Sequence, residues 1–252
     1  MSKPFITILL AAMTVVPAAQ AATQIVLPNT TWGVIPGESS GGGSANITTV
    51  APFDGNGSVE MFGDRTRFTN GNYFSAASNK MSLFNVSGLS FSWRVAADSS
   101  GGFNVDQTPA LRLHIFDGTQ RSELIWEGVY NGTYGHTKRD TWYTTTFNDL
   151  FYQYKTGQGV TLASGQQVNQ TVAMWEGTYS DNAYVSAISV GVGSGFSAKY
   201  HSFADDVVLG TIGGNTTFNF ETAATTTVPE PVSLAIMAVG LTGLGLSRRR
   251  RA

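Results

Sequence analysis

The residues of this chain best suited to bond-breaking chemistry lie in two matching segments, Trp126-Glu127-Gly128-Val129-Tyr130 and Trp175-Glu176-Gly177-Thr178-Tyr179. Two carboxyls flanking a glycosidic bond can divide the roles of acid and of nucleophile or base, provided that the fold brings them together and their protonation differs. Nothing in the spacing enforces that convergence. A Trp-Glu pair at a strand end serves equally well as an apolar anchor beside a solvated acid. The chain is therefore read as non-enzymatic, with no catalytic residue assigned. A glycoside hydrolase using Glu127 and Glu176 is the alternative.

A second chemistry needs no catalysis. Tyr130, Tyr134, Trp142, Tyr143, Tyr152, Tyr154, Tyr179 and Tyr184 supply amphipathic rings. Sugars stack their C–H faces on such rings while their hydroxyls bond neighbouring polar groups. Tyr130, Tyr134, Trp142 and Tyr179 are the candidate glycan contacts. Asp205-Asp206, with Asp54 or Asn56, offers hard oxygen ligands for a structural calcium ion, although the same aspartates can instead cap backbone amides in a turn. No other cofactor is expected.

Several chemistries are disfavoured. The chain has no cysteine, which removes disulfides, thiolate catalysis and Cys-ligated zinc. His114, His136 and His201 lack metal-ligand spacing. Ser194, in Gly193-Ser194-Gly195, lacks the full nucleophile-elbow pattern. Residues 22–227 carry ten Lys or Arg against sixteen Asp or Glu, so a nucleic-acid partner, which needs a basic footprint, is not expected.

These side chains must be positioned by β-structure. Charged residues are only 13% of the chain and aromatics 12%, alongside 29 glycines. Short β-type runs recur between Gly, Asn and Asp turns, among them Ser58 to Phe62, Lys80 to Val86, Thr141 to Phe147 and Thr171 to Glu176. In Leu111-Arg112-Leu113-His114-Ile115 three aliphatics face one way, and Arg112 with His114 the other, wetted face. Leu89, Phe91 and Trp93 likewise oppose Ser90, Ser92 and Arg94. One-sided burial predicts an all-β, antiparallel sandwich over residues 52–211. The Gly/Ser-rich stretch 22–51 is expected to be flexible, and 212–227 a Thr-rich spacer. Gly55-Asn56-Gly57-Ser58-Val59, Thr141-Trp142-Tyr143-Thr144 and the closing run Phe203 to Leu209 give a strand order that resembles the jelly-roll sandwiches of lectin-like and carbohydrate-binding domains.

Both ends are targeting segments. Lys3, the apolar run Phe5 to Val16 and Ala19-Gln20-Ala21 predict a signal peptide, residues 1–21, that signal peptidase removes. At the other end, Val228-Pro229-Glu230-Pro231 precedes an apolar segment, residues 232–246, and then Arg248, Arg249, Arg250 and Arg251. As a helix that segment is about 22 Å long, short of a bilayer core of ~30 Å, and the arginines stay on the cytoplasmic side. This arrangement, residues 228–252, resembles the PEP-CTERM sorting signal. The resemblance implies recognition by an exosortase, a membrane enzyme of exopolysaccharide-producing Gram-negative cells. It also implies transient anchoring in the inner membrane by the C-terminal transmembrane helix, followed by delivery to the cell surface or the extracellular matrix, where polysaccharide is a plausible partner.

Overall fold

The computed structural model describes residues 21–100, 107–132, 137–193, 195 and 199–223. The leader up to residue 20, Tyr134, His136, Ser194 and the sorting motif with its apolar segment and arginines lie outside the described residues. Among the described residues no helix is long and apolar enough to cross a membrane.

In chain order the strands begin with β1 (Ala22–Val26), β2 (Gly33–Val34), β3 (Ser44–Thr48), β4 (Ser58–Phe62), β5 (Thr66–Asn70), β6 (Met81–Ser82) and β7 (Val86–Val95). There follow β8 (Ala110–Asp117), β9 (Gln120–Trp126), β10 (Tyr143–Thr144), β11 (Phe151–Lys155), β12 (Gly159–Val160), β13 (Leu162–Ala163), β14 (Gln166–Gln167) and β15 (Asn169–Gln170). The short helix α1 (Val172–Glu176) precedes β16 (Tyr184–Val192), β17 (His201–Thr211) and β18 (Gly214–Phe220). The class is all-β, as the alternation predicts.

Two large sheets share one core. The first runs β1-β18-β17-β4-β3, with β7 along the other side of β17 and β10 beyond it. The second runs β12-β11-β9-β8-β16-β5-β2, with β6 and β15 attached. Trp126 of the second sheet meets Phe91 of the first edge-on, with ring centroids 5.2 Å apart. At the other end Trp32 bridges Phe68, Phe218 and Phe220 at 5.0 to 6.2 Å. The predicted inward residues Leu89, Phe91, Trp93, Leu111, Leu113 and Ile115 are all buried in this core.

Four expectations need correction. Residues 22–51 are not a loose lead-in: they supply β1, β2 and β3 to the two sheets, and Trp32 to the core. Gly43 there serves close approach, since a Cβ would lie 1.8 Å from the Arg65 carbonyl oxygen. The supposed spacer contains β18, whose pairing with β1 is parallel, so the sheets are not wholly antiparallel. The run Thr171 to Glu176 forms α1, started by the Thr171 hydroxyl accepting from the Met174 amide. Lastly, Arg112 and His114 do face away from the core, yet that face is covered: they are 2% and 0% exposed. Tyr73, itself fully buried, stacks on His114 at 4.2 Å.

Candidate functional site

Strand register assembles the most chemically endowed surface of the molecule. Across the second sheet, Thr69, Ser189, Arg112, Ile125 and Tyr152 are successive cross-strand partners on β5, β16, β8, β9 and β11. One rung along, His114 opposes Glu123, which opposes Tyr154. Because side chains alternate with period two, these rows rise from the same face, opposite the core. Arg112, Glu123, Ile125, Tyr152 and Tyr154 of these rows line an open cleft of ≈ 330 Å³. Its walls carry Arg65, Arg67, Arg112 and Arg121, the carboxylates Glu123 and Glu127, and the rings of Phe74, Tyr152 and Tyr154.

Glu123 is the hub. Its carboxylate lies 3.0 Å from Arg121, 3.5 Å from Arg67 and 3.8 Å from Arg112, and it is 3% exposed. Burial alone would raise its pKa; the neighbouring His114, Arg67, Arg112 and Arg121 reverse that and bring it down to about 2. At neutral pH the guanidiniums do this, because burial pulls the His114 imidazole down to about 3 and keeps it neutral. The His114 Nε2 shares a hydrogen bond with the Ser189 hydroxyl at 2.8 Å. Behind the hub, Glu38 accepts from Arg65 at 2.6 Å and pairs with Arg67 at 3.0 Å. Glu127 accepts from the Tyr152 hydroxyl at 2.8 Å, and Tyr130 packs edge-on against Tyr152 at 5.3 Å. Burial, reinforced by the Glu127 carboxylate, pushes the Tyr152 phenol up, so it remains a donor.

The sequence-derived candidates divide. Glu127 lines the cleft; Glu176 does not, sitting on α1 with its Oε1 buried and without a hydrogen bond. Both tryptophans of the paired segments are core anchors: Trp126 donates to Asp149 at 2.9 Å and Trp175 to the Phe151 carbonyl at 2.7 Å. Tyr130 packs on Tyr152 but is not among the residues that line the cleft. Trp142 instead packs on Phe53, Ala51, Ala96 and Phe203, while Tyr179 lies against the core with its hydroxyl on Ser122. The arginines escaped the ring-centred sequence reading. Arg65, Arg67, Arg112 and Arg121 are scattered along the chain, and only Arg112 with His114 showed a common face.

Asp205 and Asp206 occupy a fork. Along one edge of β17, residues 201–204 pair with β4 and residues 207–211 with β18. Between them the register to β7 shifts, and Asp206 takes a positive φ of 44°. The fully buried Asp205 carboxylate pins the fork by accepting from the amides of Asp206 at 2.8 Å, Phe220 at 3.0 Å and Asp54 at 3.3 Å. Asp206 Oδ1 and Asn219 Oδ1 are buried without hydrogen bonds. Among the described residues no three His, Asp or Glu side chains group in a way that would hold a metal ion, and the Asp205 carboxylate accepts from backbone amides.

A hollow of ≈ 400 Å³ between residues 28–47 and Phe68 is lined by no titratable side chain. His201, bracketed by Glu60 at 2.9 Å and Asp98 at 2.7 Å, is a satisfied singleton. No protein-family model and no curated protein matches the chain. A solved structure titled "Structural analysis of an exo-beta-agarase" is similar over 72% of this chain at 9% identity and a TM-score of 0.33. This chain spans 23% of that protein, and the likeness is too distant to establish fold or function.

Proposed function

We propose that the chain is an exported protein of the cell surface or extracellular matrix, structural or adhesive in role, which binds carbohydrate without turning it over. Signal peptidase removes the leader, and an exosortase-type enzyme acts on Val228-Pro229-Glu230-Pro231 while residues 232–246 hold the chain in the membrane. The support is the order of motif, apolar segment and Arg248 to Arg251 in one chain with a leader. The paired sheets support the finer reading of the body as a jelly-roll-like sandwich.

One observation carries the carbohydrate reading: the cleft sets the exposed rings of Phe74 and Tyr154 beside fixed hydrogen-bonding groups, Glu127, Tyr152 and the arginines. That pairing of apolar plates with oriented polar groups suits a sugar better than a wholly apolar or wholly charged ligand. Turnover is disfavoured. Glu176 stands off the cleft, and Glu123 and Glu127 are four extended residues apart, about 13 Å along the chain, with their carboxylates tied to different partners. A glycan array probed with the full-length chain in mild detergent tests the reading: binding to at least one polysaccharide class, abolished by Tyr154→Ala, is expected. Binding to none would leave only a scaffold role.

A further inference from the structure

We propose that the cleft selects acidic glycans, taking a sugar carboxylate or sulfate ester against the guanidiniums of Arg65, Arg67, Arg112 and Arg121. The inference rests on the carbohydrate reading and specifies its ligand class.

Charge is segregated. Residues 22–227 hold ten basic side chains and are acidic overall, yet four of the ten line this single cleft, all of them arginine. The lining offers only Glu123 and Glu127 against them, and Glu38, behind Arg65 and Arg67, still leaves one cation in surplus. Clustering like charges on one sheet face costs free energy unless an anion completes the set.

The donors are also incompletely used. The Arg112 side chain is only 3% exposed, and although its Nη2 donates to the Gly193 carbonyl at 3.0 Å, its Nε and Nη1 make no hydrogen bond. Arg67 Nε is likewise buried without a partner. A guanidinium presents five donors in a fixed fork suited to a planar or tetrahedral oxyanion. Glu123 draws Arg67, Arg112 and Arg121 to one point, with Arg112 Nε facing it at 3.8 Å, beyond hydrogen-bond reach. Phe74 is 54% and Tyr154 38% exposed. These open rings suit the body of a sugar and distinguish this surface from a site for a free inorganic anion.

The test uses the full-length chain in mild detergent and oligosaccharides of matched length: an oligo-uronate, a sulfated galactan fragment and a neutral galactan, titrated calorimetrically at low and high salt. The acidic oligomers are expected to bind roughly tenfold tighter than the neutral one and to weaken with salt, as one charge-assisted contact of about 1.5 kcal/mol implies. The stronger of the two acidic arms identifies the oxyanion. Arg121→Gln is expected to lose that advantage, with Arg121→Lys intermediate because it keeps charge without the fork. Arg65→Gln, at a side chain 37% exposed, repeats the test where folding is least at risk, and urea midpoints of both variants check the fold. Equal affinity for neutral and acidic oligomers, or indifference to both Gln variants, would overturn acid selectivity and leave the glycan site standing. Failure of the wild type to bind any of the three would remove both.

Discussion

Single ionisable groups in this protein work against one another as pH changes. Burial pushes Asp205 up to about 7, against the opposing amides of Phe220 and Asp206; burial, with Asp54 and Glu221, pushes Asp206 up to about 6. An acid whose folded pKa is raised holds its proton more tightly folded than unfolded. Its contribution is therefore complete below about pH 4 and is lost as pH climbs through 6 to 7. Asp206→Asn removes one such group at a positive φ that Asn tolerates. Relative to wild type it should gain about 1 kcal/mol at pH 8, a value discounted for partial exposure, and nothing at pH 4, read from urea unfolding. Glu123 has the opposite sign: its stabilisation is present above the ordinary carboxylate range and disappears as pH falls through about 2. His114, held neutral, should show no imidazole titration above about pH 4 by NMR in the folded protein. Asp205→Ala strips an acceptor from three amides and should lower unfolding free energy by about 3 kcal/mol.

At the scale of elements, the N-terminal strands and the covering segment around Tyr73 decide which faces are dry. Trp32 is 2% exposed and touches aromatic rings from both sheets, so Trp32→Ala should cost about 3 to 5 kcal/mol in urea unfolding. That outcome separates an integral edge from a dispensable lead-in, for which the loss would be near zero. The long strands β7, β8, β16 and β17 were legible because their alternating runs carry large apolar residues on one side. The short strand β2 was not, while β6 and β10 lay inside longer predicted runs, Lys80 to Val86 and Thr141 to Phe147, of which only two residues pair. Two residues give no periodicity, and such pieces are strands only because a longer neighbour supplies their hydrogen bonds. Helix α1 was missed for a related reason: Val172, Met174 and Trp175 read as strand, and the Thr171 cap with the buried Trp175 overrode that preference.

At the scale of the whole molecule, the proposed sorting can be tested apart from folding. In cells lacking an exosortase the full-length precursor should accumulate in the membrane fraction; in cells carrying one, tail-free protein should appear outside, as followed by immunoblot. Identical fractionation in both strains would sink the sorting proposal. The calcium alternative is also read globally. A hydrogen-bonded fork without cofactor predicts the same melting temperature in calcium and in chelator, whereas a rise in calcium that Asp206→Asn abolishes would assign the orphaned oxygens of Asp206 and Asn219 as ligands.

The order of residues determined by itself the β class and the inward faces of the long strands, since each depends on neighbours within a few positions. The tertiary structure alone decided that Arg65, Arg67, Arg112 and Arg121 meet at Glu123, that Glu127 and Glu176 part company, and that Asp205 pins a fork between β4 and β18. The reason is physical. Strand register sums hydrogen bonds over partners as distant in sequence as Ala22 and Thr216, and no local pattern encodes which partner that will be.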